Sequence, residues 1–167
     1  EDRLAVLYKS EDGRLFRAPA EEDLNAVALI GPAYLSGAAG LYSTLRDMDR
    51  FAGMLLYEGV FEGKRILGAD AVWLMRQPGA RKRLEFAPGL EWGLGMIIRT
   101  DPERAGSPVT KGTYGWSGHF GTHLFIDPVR KLSVVLMVNR SNIGGAASPV
   151  SKKVEELVYG SLLDNPD

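Results

Sequence analysis

The sequence predicts a mixed α+β fold, and three observations indicate it. Two helical patterns of apolar residues lie in the first half of the chain, an apolar β-hairpin follows in the second half, and a further helical pattern comes near the end. Helical and strand patterns that are segregated along the chain are typical of α+β proteins. With 167 residues, of which 45% are hydrophobic, the chain has enough apolar side chains to fill one core.

The first 40 residues predict a hairpin followed by a loop. Residues 3–17 place a Ser-Glu-Asp-Gly turn between two short apolar runs, a pattern that favours a β-hairpin. Residues 18–40 contain many small residues and no sustained period, so we interpret them as a loop.

Two helices are predicted next. Residues 43–59 carry apolar side chains at helical spacing, Ser43 or Thr44 can cap the start, and a glycine can end the helix. Its predicted apolar face consists of Leu45, Met48, Phe51, Leu55 and Leu56. Residues 66–79 predict a second, shorter helix that stops at Pro78, because a proline ring cannot continue the backbone bonding.

The second half predicts strands and one more helix. Residues 91–98 indicate a strand, and residues 122–140 indicate an antiparallel hairpin around an Asp-Pro turn. The second arm of this hairpin is apolar on both of its sides, so we expect both faces to be covered. Ser148 and Pro149 then predict a helix start. The predicted buried stripe of this helix is Val150, Val154, Leu157 and Val158.

Composition and charge exclude several classes of function. Twenty Lys and Arg balance 21 Asp and Glu without forming a block, so we expect neither nucleic acid nor an anionic membrane as a partner. The absence of cysteine excludes disulfides, thiolate catalysis and sulfur-ligated metals. The longest strongly apolar run, residues 132–138, is far shorter than the ~20 residues of a membrane-spanning helix. We expect no membrane span and no signal peptide.

Both histidines lie in one glycine-rich segment, which raises the possibility of a metal site. His119 and His123 have the spacing that lets two imidazoles on a helix share one zinc ion. The flanking glycines and aromatic residues favour a strand instead, in which four residues separate the rings by roughly 13 Å. We therefore expect no metal site.

Two further interpretations of this segment concern catalysis. Ser117, His119 and Asp127 could form a Ser-His-Asp set, but the Gly-x-Ser-x-Gly pattern is absent and Asp127 is better explained as a turn initiator. The favoured interpretation uses the backbone. Glycines 115, 118 and 121 would let a ligand lie against the main chain, where an exposed N–H can donate to an anionic oxygen.

The segment of residues 116–140 resembles the third motif of the serine β-lactamase and penicillin-binding-protein superfamily, in the class C-like branch that includes family VIII esterases and D-aminopeptidases. The family usually carries Lys-Thr-Gly there, on the active-site edge strand. Trp116, Ser117 and Gly118 stand at those three positions. Residues 38–56 are similar to a family segment that begins a helix of the α-helical lobe, and residues 65–75 resemble the next helix.

The resemblance implies the C-terminal part of the β-lactamase/transpeptidase-like fold. Residues 1–80 would then form a partial α-helical lobe with the N-terminal hairpin and loop, and residues 90–167 would supply sheet strands and the C-terminal helix of the α/β lobe. The family's nucleophile lies in Ser-x-x-Lys, which this sequence lacks, as it lacks Tyr-x-Asn. Residues 34–36 satisfy Tyr-x-Ser, but in the wrong region. The chain would therefore be part of a serine hydrolase and inactive alone.

The resemblance also implies a site. The backbone N–H of His119 would complete an oxyanion hole, while Trp116, Ser117 and Gly118 would line the cleft. Trp116 replaces the Lys that grips a β-lactam carboxylate, and Ala39 stands where many β-lactamases of this branch have a tyrosine. Both differences favour a neutral ester as substrate, ahead of an amide or β-lactam. No cofactor is implied.

The sequence is also compatible with protein partners and with a function other than catalysis. We expect the chain to associate with the missing N-terminal part of the same protein, and self-association through an uncovered strand is the alternative. The rival to an enzyme is a non-catalytic binding module that uses the edge strand as a platform for an extended peptide or glycan. A Ser-x-x-Lys upstream of this chain would favour the enzyme.

Overall fold

The computed structural model describes residues 4–19, 41–79 and 85–163. In these ranges the chain forms ten strands and four helices. The strands are β1 (Tyr8–Glu11), β2 (Arg14–Arg17), β3 (Val60–Phe61), β4 (Lys64–Arg65), β5 (Glu85–Ala87), β6 (Leu90–Trp92), β7 (Ile97–Arg99), β8 (Tyr114–Ser117), β9 (His123–Asp127) and β10 (Leu132–Leu136), and the helices are α1 (Leu45–Leu56), α2 (Ala69–Met75), α3 (Pro102–Ala105) and α4 (Pro149–Leu163).

The main sheet has six antiparallel strands in the order β10-β9-β8-β7-β6-β5. Each strand pairs with the next one in the sequence, so local connections build the whole sheet. The mixed α+β fold predicted from the sequence is confirmed. The predicted division into a partial α-helical lobe, residues 1–80, and an α/β lobe, residues 90–167, stays a prediction.

The predicted N-terminal hairpin is also confirmed. β1 pairs with β2 around Asp12 and Gly13, whose φ angles of 49° and 76° suit the tight turn of a two-residue hairpin. The hairpin is attached to the rest of the chain because the N–H of Tyr8 donates to the carbonyl of Asn139 at 3.0 Å. The predicted loop of residues 18–40 lies almost wholly outside the described residues.

Helix α1 covers one face of the sheet. The Thr44 hydroxyl caps it by accepting from the N–H of Asp47 at 3.2 Å, as the sequence predicts. Within the predicted apolar face, Leu55 is fully buried, whereas Leu45 and Phe51 are exposed. The core that α1 shares with α2 and the sheet contains Ala52, Met54, Leu55, Val72, Met96, Ile98, Tyr114, Leu124 and Ile126. The second predicted helix, α2, is confirmed and ends before Pro78.

The single strand predicted over residues 91–98 is wrong. The structure has two strands there, β6 and β7, which pair with each other. The chain reverses between them because Gly95 adopts a left-handed φ of 74° and the N–H of Gly93 donates to the carbonyl of Met96 at 2.8 Å.

The hairpin of β9 and β10 is confirmed, and Asp127 initiates its turn. The Asp127 carboxylate accepts from the N–H groups of Val129 and Arg130, at 2.9 and 3.0 Å, and from the Tyr159 hydroxyl. Burial alone would raise the pKa of this carboxyl, but these hydrogen bonds and one from Thr110 outweigh burial and hold the pKa below its ordinary value. The role of Asp127 is therefore to stabilise the turn between β9 and β10.

Both faces of β10 are covered, as predicted. Val135 packs against the α1 core, and Val134 packs on the other face against a cluster of Val109, Phe125 and Tyr159. α4 supplies part of that second cover. Its predicted start is confirmed, because the Ser148 hydroxyl accepts from the N–H of Ser151 at 3.3 Å.

The predicted buried stripe of α4 is partly wrong. Val154 and Val158 pack against the sheet, but Leu157 is 62% exposed. The most buried side chains of this helix are instead Ser151, Glu155 and Tyr159. The helix is rotated toward Glu155 and Tyr159 because their partners, Arg99 and Asp127, lie on the sheet. No helix in the described ranges is long and apolar enough to cross a membrane.

Candidate active site

The strand that carries the predicted third motif, β8, lies inside the sheet between β7 and β9. The expectation of an edge strand is therefore wrong for the first two residues of β8, Tyr114 and Gly115. β9 pairs with all four residues of β8, but β7 pairs only with Tyr114 and Gly115. Over Trp116 and Ser117 the side of β8 that faces away from β9 has no described ladder partner. We call this short stretch the open end of β8.

Trp116 and Ser117 point to opposite sides of the sheet, because side chains alternate along a strand. Trp116 is 39% exposed, whereas Ser117 is 5% exposed. Of these two predicted site residues, only Trp116 therefore presents its side chain to solvent.

Trp116 belongs to a cluster of three aromatic rings, which we call the aromatic cluster: Phe86, Trp92 and Trp116. The ring centroids of Trp92 and Trp116 lie 4.8 Å apart, and Phe86 meets Trp116 edge-on at 6.0 Å. Phe86 is exposed and Trp92 is half-buried. Sequence reasoning missed Phe86 and Trp92 as site residues, because their approach to Trp116 depends on how β5 to β8 assemble.

The turn between β8 and β9 presents His119 at its tip. The N–H of Gly121 donates to the carbonyl of Gly118 at 3.1 Å and closes the turn, and Gly121 has a φ of 94°. His119 is exposed, and no described residue accepts a hydrogen bond from its backbone N–H. His123, in contrast, is buried within β9, so the two imidazoles share no site. In the part of the chain that the structure describes, no three His, Asp or Glu side chains gather as a metal site would require.

The glycines of this segment are explained by close packing within the protein. A Cβ on Gly115 would overlap the carbonyl of Leu124, and one on Gly121 would lie 2.6 Å from the Ile143 side chain. A Cβ on Gly118 would overlap the Thr122 hydroxyl. Close packing by the chain thus accounts for these three glycines, and the approach of a ligand to the main chain here stays a prediction.

A line of buried polar side chains runs from the third motif to α4. Ser117 Oγ lies 2.7 Å from Nδ1 of His123, and Nε2 of that ring lies 3.4 Å from Oε1 of Glu155. The Glu155 carboxylate also pairs with Arg99 and accepts from the Ser107 hydroxyl at 2.6 Å. We call these five residues the buried polar chain.

The negative charge of Glu155, at the centre of the buried polar chain, is stabilised by the neighbouring residues. Burial alone would raise the pKa of the Glu155 carboxyl, but hydrogen bonding from His123, the Arg99 charge and the Ser107 hydroxyl outweigh burial and lower the pKa. Glu155 is therefore an anion at neutral pH.

The local set of Ser117, His119 and Asp127 is not formed. Ser117 bonds to His123 instead of the exposed His119, and Asp127 serves the turn and Tyr159. The contact between Ser117 and His123 could have been found from the sequence only with the register of β8 against β9. Ala39 lies outside the described residues.

Comparisons with known proteins agree with this architecture. The sequence profile of the family described as Beta-lactamase matches residues 1–152. Protein Rv1367c of Mycobacterium tuberculosis (strain ATCC 25618 / H37Rv) is 34% identical over 147 residues, which are 81% of this chain and 36% of that protein. Esterase EstB of Burkholderia gladioli is 32% identical over 130 residues, which are 76% of this chain and 31% of that protein.

A solved structure shows the same fold. The structure of "EstCE1, a hydrolase with promiscuous acyltransferase activity" matches with a TM-score of 0.74 and 27% identity, over 95% of this chain and 44% of its own. The chain thus spans 31% to 36% of the length of the two curated relatives and under half of EstCE1. The resemblance inferred from the sequence and the predicted fold are confirmed, and the chain belongs to the Beta-lactamase family.

Proposed function

We propose that the complete protein hydrolyses neutral esters through an acyl-enzyme, formed on a serine outside residues 1–167. The observation that carries this proposal is the position of Trp116, which replaces the family's Lys and presents a partly exposed ring at the open end of β8. One relative is named as an esterase and one structural neighbour as a hydrolase with acyltransferase activity, which supports the same reaction class.

The aromatic cluster favours an uncharged substrate. Ring faces offer apolar contact to an acyl or alcohol group. A β-lactam carboxylate at the same place would have to lose water beside the apolar rings of Phe86 and Trp92, where the family's Lys would have offered a cation. Neutral esters avoid this cost, so we expect them to be better substrates than β-lactams, with amides as the alternative.

The turn after β8 supplies a donor for the transition state. The His119 N–H has no described acceptor, so it is available to an oxyanion, together with the N–H of the acylated serine. Because the Ser117 hydroxyl is engaged with His123, Ser117 would contribute to the cleft through its backbone. Gly118 and Ala39 remain proposed wall positions on the strength of the family resemblance.

The chain also offers a surface for the remainder of the protein. A cavity of about 550 Å³ lies beside the start of α1, and apolar side chains such as Leu4, Leu41 and Met137 line it. Leu41 is exposed, and β10 is an outer strand of the main sheet. We propose that the upstream part of the same protein covers this region, with self-association as the alternative for the isolated chain.

Replacement of Trp116 by Lys in the complete protein tests the substrate class. We expect kcat/KM for nitrocefin to rise about tenfold relative to p-nitrophenyl butyrate, if the new cation recovers ~1.4 kcal/mol with the β-lactam carboxylate. Trp73→Lys is the matched control, because Trp73 is an exposed tryptophan on α2. A folded Trp116→Lys enzyme with the wild-type ratio would show that Trp116 is a structural anchor of the sheet.

A peptide- or glycan-binding module remains the second candidate, and the open end of β8 favours it. Unpaired strand backbone at Trp116 and Ser117 could add an extended ligand to the sheet. A fluorophosphonate separates the two candidates, because it labels an activated serine and leaves a binding module unmodified.

A further inference from the structure

The buried polar chain ends on the strand that carries the proposed site, and the proposed chemistry does not use it. Ser117, His123 and Glu155 are 5%, 3% and 2% exposed. Three elements contribute them: β8, β9 and α4. Polar groups are costly to bury unless they are paired, so the mutual arrangement of these side chains is strongly constrained.

The contacts form a continuous series from α4 to β8. Arg99 on β7 and Ser107 hold the Glu155 carboxylate from two sides. Oε1 of the carboxylate lies 3.4 Å from Nε2 of His123, close enough for its charge to attract a proton on that nitrogen although the two make no regular hydrogen bond, and Nδ1 of the ring lies 2.7 Å from Ser117 Oγ. This is the way in which a carboxylate and a histidine orient a third group in many catalytic sites.

Ser117 lies between the two groups that the proposed function needs. Trp116 precedes it, and Gly118 and His119 follow it. Over Trp116 and Ser117 no described strand pairs with β8 on its open side, so the ladder with β9, the ring contacts of Trp116 and the Ser117 side chain hold the backbone here. A rotation of this peptide segment would move both the Trp116 ring and the His119 N–H.

We propose that His123 and Glu155 are positioning residues, which fix Ser117 and thereby the orientation of Trp116 and of the His119 N–H at the open end of β8. The effect on catalysis rests on the proposed function. The hydrogen-bond arrangement itself does not, and it can be measured in this chain alone.

The arrangement specifies the proton on the imidazole. The charged or titratable groups that face the ring are Glu155 from α4 and, beyond it, Arg99 from β7, while the Ser117 hydroxyl faces it from β8. We assign the ring proton to Nε2, which faces the Glu155 carboxylate, so that Nδ1 accepts from the Ser117 hydroxyl. Asparagine in place of His123 would keep an acceptor near the position of Nδ1, whereas leucine in place of His123 would remove it.

The first test measures ring ¹⁵N shifts of His123 in this chain by NMR, together with the indole N–H shift of Trp116. We expect a proton on Nε2, with Nδ1 as the acceptor for the Ser117 hydroxyl. Ser117→Ala should shift Nδ1 and the Trp116 indole. The matched control is Ser151→Ala, because Ser151 is also a buried serine and donates to the Ser148 carbonyl at 2.9 Å, outside this chain of contacts. A proton on Nδ1, or Ser117→Ala spectra in which neither resonance moves, would overturn the proposal.

The second test measures kcat and KM for p-nitrophenyl butyrate in the complete protein. Ser117→Ala and His123→Leu should each lower kcat roughly tenfold, since a small misplacement of catalytic groups is costly, with KM changed less than about twofold. Ser117→Thr and His123→Asn should restore kcat to within about threefold of wild type, because each retains the hydroxyl or its acceptor. Ser151→Ala should leave both constants unchanged.

These outcomes separate the two proposals. A complete protein without ester hydrolysis contradicts the proposed function, and the NMR test then decides the positioning role by itself. An active protein in which folded Ser117→Ala and His123→Leu keep the wild-type kcat overturns the positioning role, and so does an equal loss in Ser151→Ala.

Discussion

Replacement of Glu155 by Gln should destabilise this chain strongly at neutral pH. The carboxylate is 2% exposed and pairs with Arg99, which is also buried. No second described carboxylate lies within ion-pair distance of Arg99. The amide would leave the guanidinium charge buried without a counterion, although its oxygen can still accept one hydrogen bond.

The magnitude follows from the burial of both partners. Breaking a buried ion pair from one side costs about 3–5 kcal/mol, and we expect about 3 kcal/mol because the amide retains an acceptor. With a urea m-value of roughly 2 kcal/mol/M, the midpoint of unfolding should fall by about 1.5 M. The control Lys153→Gln, which affects an exposed pair with Glu156 on the same helix, should change the free energy of unfolding by less than about 0.5 kcal/mol.

The stability difference between wild type and Glu155→Gln should also depend on pH. The pKa of Glu155 is lower in the folded state than in the unfolded chain, so its contribution is present above the unfolded value of about 4.3 and is lost as pH falls through the folded value. The difference in free energy of unfolding between wild type and Glu155→Gln should therefore narrow on acidification below about pH 4. A difference under 0.5 kcal/mol at pH 7, or one that widens in acid, would refute the assigned ion pair.

Three further predictions concern the fold. Gly115→Ala should lower the free energy of unfolding by roughly 3 kcal/mol, because the added Cβ overlaps the Leu124 carbonyl. Gly53→Ala within α1 places its Cβ in open space and should raise the free energy of unfolding by up to about 1 kcal/mol. Urea unfolding in which both variants change stability with the same sign would contradict this. Thr44→Ala removes the cap of α1 and should cost about 1 kcal/mol in the same assay. Burial raises the pKa of Tyr159 to about 12, so the free energy of unfolding should fall as pH rises from about 10 toward that value. If Tyr159→Phe loses as much stability as the wild-type chain over this pH range, the ionisation of Tyr159 is not the cause.

The sequence predicted local structure well where one short pattern decides it. Thr44 and Ser148 cap their helices because an N-cap needs only a hydroxyl and the next turn. The turn at Asp127 forms because its carboxylate reaches two following N–H groups, whatever the rest of the fold does.

Features that depend on assembly were not predictable in this way. Residues 91–98 were assigned to one strand because their apolar run hides a reversal at Gly95, which only its positive φ reveals. The rotation of α4 toward Glu155 depends on Arg99, 56 residues away in the sequence. The aromatic cluster likewise requires the order of β5 to β8, so only its Trp116 could be named from the sequence.

The most direct test of the proposed function is fluorophosphonate labelling of the complete protein, followed by peptide mass spectrometry to locate the adduct. The chain of residues 1–167 on its own is the control. We expect one phosphonate on a serine outside these residues, loss of p-nitrophenyl butyrate hydrolysis on labelling, and no adduct or hydrolysis in the isolated chain, because Ser-x-x-Lys is absent from it. An adduct on Ser117 or any other serine of this chain, or a complete protein that neither labels nor hydrolyses the ester, would contradict the proposal.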